Sequence, residues 1–158
     1  MIFYRRRLPH WQPESASIFL TWRPHGSLPK GIEPSALSAG KRFVLLDWQV
    51  DLARTGPTWL KRPDVAPAVV DTLLLAAEGW KLYELFACVV MVNHVHVLLA
   101  PHKSLRALTR TVKNTSARAA NRILERTGQP FWQEEATTTG SATHRSSTAL
   151  CVTSSGIL

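Results

Sequence analysis

The chain has 158 residues, 45% of them hydrophobic and 19% charged, an ordinary balance for one domain with its own core. Its formal net charge of +8 points to a polyanionic partner, above all nucleic acid. No apolar run approaches the ~20 residues of a membrane span, no apolar leader opens the chain, and Cys88 and Cys151 make no Cys-x-x-Cys pair. The expectation is a cytoplasmic protein with no membrane segment and no structural zinc, in which Cys88 is a small buried hydrophobe.

Residues 1–13 form a basic N-terminal arm around Arg5, Arg6 and Arg7. Three adjacent arginines are either solvated or set against phosphate. Residues 15–23, rich in β-branched and aromatic side chains, predict a strand that Pro24, Gly26 and Pro29 end. Phe43, Leu46 and Val50 fall at helical spacing in a predicted helix over 35–54, and Trp59-Leu60 is placed to cover the core. Asp64 is positioned to cap a second helix whose buried side is Val69, Val70, Leu73, Leu74 and Ala77, with Gly79 at its end.

Residues 81–91 and 94–100 read as two strands joined through Val92-Asn93, a link short enough for an antiparallel hairpin. Within the second run stand His94 and His96. Strand side chains alternate, so both histidines point to one face and Val95 and Val97 to the other. Two imidazoles a few Å apart are a bidentate clamp for a divalent cation, although a histidine pair in a strand is more often structural.

A helix over 104–126 is the plainest element, with Ser104 as N-cap and Gly128 and Pro130 beyond its end. Leu105, Leu108, Val112, Ala119 and Ile123 occupy one narrow arc. Arg106, Arg110, Lys113, Arg118 and Arg122 lie off it, Lys103 stands just before the helix, and only Glu125 is in opposition. Solvated helix faces normally mix signs, so this one is expected to contact DNA phosphates. Phe131-Trp132-Gln133 is a short strand candidate. In residues 136–158 eleven of 23 are Ser or Thr, none is acidic and no periodicity appears, so an irregular tail is expected. The element order suits an α+β fold of ferredoxin-like type, an antiparallel sheet with helices packed on one face.

Residues 1 to about 135 resemble the REP-associated tyrosine transposases, single-tyrosine HUH enzymes named for a histidine-hydrophobic-histidine motif. The likeness is carried by Val90-Met91-Val92-Asn93-His94-Val95-His96-Val97-Leu98-Leu99. Supporting stretches occur in family order: Arg5 to His10, Phe19 to Arg23, Gly26 to Pro29, Gly56 to Leu60, and Phe131 to Glu134. Val92 stands where the family usually has proline. The resemblance implies residues 1–135 as one HUH domain with the motif on a central strand. It also implies Mg²⁺ or Mn²⁺ on His94 and His96 polarising a DNA phosphate. The implied partners are single-stranded or hairpin DNA and, since the family works as dimers, a second copy of the chain.

The family's nucleophilic tyrosine should follow the Phe-Trp-Gln segment, but here the chain reads Ala136-Thr137-Thr138-Thr139-Gly140. Tyr4 and Tyr83, the two tyrosines present, occupy neither that position nor its context, so no catalytic residue is assigned. Read two bases into the Ala136 codon, the Ala, Thr and Gly codons permit Tyr-Asp-His-Trp, and the later codons permit a run like the family's C-terminal helices. The hypothesis is a tail out of frame from near codon 136; coding DNA that cannot spell the shifted reading would sink it. Three functions then compete: a strand-transferring enzyme, a catalytically inactive DNA-binding remnant, and a fragment with an uncovered core.

Overall fold

A computed structural model describes residues 17–27, 56–134, 136–140, 150–153 and 156–157. The basic arm and the helix expected over 35–54 lie outside the described residues. Strand β1 is Ile18–Trp22, β2 is Tyr83–Val90 and β3 is Val95–Pro101. Helix α1 is Val65–Leu74, continued by a π turn over Leu75–Gly79, and α2 is Leu105–Ile123. Three short strands follow: β4 Thr137–Gly140, β5 Leu150–Thr153 and β6 Gly156–Ile157.

The strands form one six-stranded sheet in the order β4-β1-β3-β2-β5-β6. The fold is α+β. The pairs β1–β3, β2–β3 and β1–β4 are antiparallel, whereas β5 joins β2 in parallel, so the sheet is mixed rather than purely antiparallel. This corrects two expectations at once, because β4, β5 and β6 all come from the tail expected to be irregular. Both β1 and β2 would otherwise present open ladder edges. Thr and Val suit a pleated surface, so backbone pairing can order a segment that lacks an apolar face of its own.

Alternation decides what the sheet buries. Leu20 and Trp22 of β1 and Val95, Val97 and Leu99 of β3 share one core with Val69, Val70 and Leu73 of α1 and Leu108, Val112 and Ala120 of α2. Both described helices therefore cover the same face. A bulge between Leu85 and Ala87 lets Leu85 and Phe86 both be buried in β2. In α2 the arc is shifted from the one expected: Ser116 and Ala120 are buried, while Leu105, Ala119 and Ile123 are half-buried.

Local signals account for the ends. Ser104 caps α2, its hydroxyl accepting from the Ala107 amide at 3.3 Å. Asp64 precedes α1 but does not cap it through its side chain; its carboxylate instead takes the Arg62 guanidinium at 2.6 and 2.9 Å. Leu60, in a 3₁₀ turn over Trp59–Lys61, is completely buried, as expected of a core cover. Gly56, with φ of +83°, lies so close to the turn at Gly26-Ser27 that a Cβ would overlap the Gly26 carbonyl and Ser27 Cα. Among the described residues no helix is long and apolar enough to cross a membrane.

Candidate functional site

His94 immediately precedes β3 and His96 lies within it, and β3 is flanked by β1 and β2. Their rings meet edge-on with centroids 4.5 Å apart. Because Val95 and Val97 enter the core under the helices, the histidines belong to the opposite face of the sheet. The register sets His96 beside Thr21 of β1 and Val89 of β2, and sets Thr21 beside Thr137 of β4. Thr137, Thr21, His96 and Val89 thus form one row across that face. Phe19, on the same face of β1, stacks on the His96 ring at 5.2 Å.

Each imidazole is held through Nδ1. His94 Nδ1 lies 3.0 Å from Asn93 Oδ1, an acceptor, so Nδ1 carries the proton and the lone pair sits on Nε2. His96 Nδ1 lies 2.8 Å from Thr21 Oγ1; as the Nδ1–H tautomer it too presents a lone pair at Nε2. Anchoring one ring nitrogen is how proteins orient a ligating imidazole and raise its basicity. His94 is only 1% exposed, and its pKa is pushed down to about 4, first by burial and then by repulsion from His96. It is neutral near pH 7, the state a metal requires.

Chemically, this donor set suits part of a site. Mn²⁺ and Mg²⁺ are both hard ions that favour oxygen ligands, but Mn²⁺ stands higher in affinity for nitrogen donors, so two neutral imidazoles fit it better than Mg²⁺. Among the described residues no cluster of three or more His, Cys, Asp or Glu is present, so a bound ion would complete its shell with water or other donors.

Among the described residues, the one tyrosine, Tyr83, supplies no nucleophile here. Tyr4 lies outside the described residues. Tyr83 is 1% exposed in the core, on the helix side of the sheet, and its hydroxyl donates to the Leu73 carbonyl at 2.8 Å. Burial pushes its phenol far above its ordinary value, opposite to what attack requires.

The basic residues divide. Arg5, Arg6 and Arg7 lie outside the described residues. Lys103, Arg106, Arg110, Arg118 and Arg122 are all exposed, and the described face they share with Ala107, Thr111 and Asn114 carries no acid. From Arg106 to Arg122 this stripe runs about 24 Å at 1.5 Å per residue. Because α2 packs on the core face, the stripe and the histidines lie on opposite sides of the sheet; the fold does not bring them into one site.

Lys113 is a correction. It is 9% exposed, and its ammonium donates to the carbonyls of Gln133 at 2.5 Å and Glu134 at 3.1 Å. It fastens α2 to the segment entering β4 and does not present its charge to a phosphate. The same segment is held by Trp132 Nε1 donating to Ser116 Oγ at 2.9 Å and by the Gln133 amide donating to the Arg23 carbonyl at 2.8 Å.

Thr21 and Asn93, which orient the histidines, escaped the sequence reading. Asn93 is adjacent to His94 and could have been suspected; Thr21 is 75 residues from His96 and emerges only from strand register.

No family model matches the sequence, and no curated protein does. Among solved structures, the chain is similar to one described as a REP-associated tyrosine transposase bound to a REP hairpin, with a TM-score of 0.44 and 12% identity. That match covers 91% of this chain and 64% of the other, so the chain spans less than two thirds of its length.

Proposed function

We propose that this protein is a DNA-binding relative of the single-tyrosine HUH transposases, built on a ferredoxin-like core, that holds single-stranded or hairpin DNA without cleaving it. The observation that carries this reading is the histidine pair: His94 and His96 side by side on one sheet face, each tied through Nδ1 to a neighbouring oxygen. Any buried imidazole needs a partner for its ring N–H; here the two partners also hold both rings side by side, the orientation a metal-holding pair requires.

His94 and His96 would hold a divalent ion, Mn²⁺ by preference, and when bound such an ion supplies Lewis-acid polarisation of a phosphate. The protein's own residues do the rest of what is proposed. Thr21 and Asn93 keep the imidazoles oriented. Phe19, against His96, offers an aromatic surface for an unpaired base. On the other side of the sheet, Arg106, Arg110, Arg118, Arg122 and Lys103 contact backbone phosphates of a separate stretch of DNA, with Arg5 to Arg7 as a further basic segment.

Cleavage is left out because no described tyrosine reaches this face. The hypothesised restored frame would write tyrosine across codons 136 and 137. That is where Thr137 now stands in the row with Thr21 and His96. The coincidence supports a site that has lost its nucleophile while keeping its ligands.

The test is fluorescence anisotropy of a labelled DNA hairpin against salt, with and without Mn²⁺. Binding should weaken with salt, with a slope of roughly 0.7 to 0.9 in log K per log salt for each phosphate neutralised. Absent or salt-independent binding overturns the reading. A metal-independent DNA-binding remnant is the second reading, favoured by the lack of a three-residue ligand cluster among the described residues. Hairpin binding unchanged by Mn²⁺ and by His94→Ala would select it.

A further inference from the structure

Cys88 and Cys151 are the only cysteines in the chain, and they meet. They are direct register partners in the parallel pair of β2 and β5, their Cα atoms are 4.6 Å apart, and they are joined as a disulfide across 63 residues of sequence. Cys88 is 1% and Cys151 7% exposed, both within the main core. Strand β5 is short: it has four residues, its strand partners among the described residues are Ala87–Val90 of β2 and the two-residue β6, and Leu150 is 57% exposed. Parallel ladders are also the weaker kind per residue.

We propose that Cys88–Cys151 is a thiol–disulfide exchange site that fastens strands β5 and β6 to the sheet when oxidised and lets them detach when reduced. Without the bond, four ladder residues must offset the ordering of β5 and β6, a weak balance for so short a segment. With it, residue 151 stays tethered to Cys88 even when the ladder opens transiently, and the closing of a long loop is already met in the unfolded chain.

The co-reactant is a low-molecular-weight thiol or its disulfide. In reduction, a thiolate attacks Sγ of Cys151, the less buried sulfur, forming a mixed disulfide there and expelling Cys88 as a thiolate that takes up a proton. A second thiolate attacks the sulfur of the small thiol in that mixed disulfide and releases Cys151, which takes up a proton as its thiol. Two electrons pass to the protein pair, and two small thiols leave as one oxidised disulfide. Oxidation by a small disulfide runs the same steps backwards. Because Cys151 is nearly buried, the first attack requires β5 to lift, so exchange reports on the docking of that strand. Both sulfurs lie on the helix side of the sheet, away from His94 and His96, so the inference does not rest on the DNA reading.

The experiment is hydrogen exchange by mass spectrometry on the full chain, equilibrated with oxidised glutathione or with dithiothreitol, alongside non-reducing peptide mapping. Oxidised protein should yield a linked peptide containing residues 88 and 151. Reduction should speed amide exchange over 150–157, and at the β2 amides that pair with β5, on the order of tenfold to a thousandfold, the upper end being the full loop-closure effect. The β1–β3 ladder should not change. Cys151→Ser, a near-isosteric change on a short outer strand, should exchange like the reduced protein under both conditions. No linked peptide, or equal exchange over 150–157 in the two redox states, overturns the proposal. So does a Cys151→Ser protein whose exchange there still responds to dithiothreitol.

Discussion

Replacing Lys113 separates two roles that helical spacing alone would merge. Lys113→Met keeps most of the side chain's length and apolar stem but removes the ammonium that binds the Gln133 and Glu134 carbonyls. A hydrogen bond from a charged group is worth roughly 1.5 to 3 kcal/mol net, and two sharing one donor group are not additive. Because Lys113 is 9% exposed, solvent does little to screen its ammonium, whereas Gln133 is half-buried and Glu134 exposed, so water replaces part of what the carbonyls lose. The expected destabilisation is about 1.5 to 2 kcal/mol, against roughly 0.5 kcal/mol or less for an exposed lysine. Urea unfolding should show a lower midpoint with an unchanged m-value. Without urea, where the variant is folded, it should keep the wild-type salt slope on hairpin DNA. Arg106→Gln or Arg110→Gln should do the reverse, leaving the unfolding midpoint in place and lowering the slope by about 0.7 to 0.9 for each phosphate that the arginine had neutralised. An unchanged midpoint for Lys113→Met, or a slope reduced as much as in the arginine variants, would refute the assignment of Lys113 as an anchor.

Acid should destabilise the fold through His94. Its folded pKa of about 4 lies below the unfolded value near 6.5, so the unfolded chain binds more protons between them. This contribution, up to about 3 kcal/mol, is fully present above pH 6.5 and disappears as pH falls towards 4; a wild-type urea midpoint that matches His94→Gln in its pH dependence across that window would contradict it. Calorimetric titration should find weak Mn²⁺ binding that disappears in the His94→Ala, His96→Ala double variant, and equal binding by both proteins removes the pair from any site. Incubation with labelled hairpin DNA and Mn²⁺ should give no denaturant-stable adduct; an adduct that survives Tyr83→Phe would place the nucleophile outside the described core. Tyr83→Phe itself should cost about 1 kcal/mol, from the missing bond to the Leu73 carbonyl, with DNA binding unaltered in the anisotropy assay.

The sequence by itself determined the features that follow from local periodicity. Alternation over 94–100 was enough to put His94 and His96 on one face, because strand geometry allows no other arrangement once Val95 and Val97 are buried. Ser104 and the apolar steps at Leu108 and Val112 marked α2 to within a residue at its start, since a cap and its helix are neighbours in sequence. Tertiary structure decided whatever depends on which distant segments meet. Lys113 lies at the margin of the apolar arc of α2, and only the passage of Gln133 and Glu134 across the helix turns it from a surface charge into a buried anchor. Thr21 becomes the partner of His96, and Cys151 that of Cys88, through strand register. The tail shows no apolar pattern of its own, yet three of its stretches pair at the sheet edges, where unpaired backbone groups supply the ordering force that side chains do not.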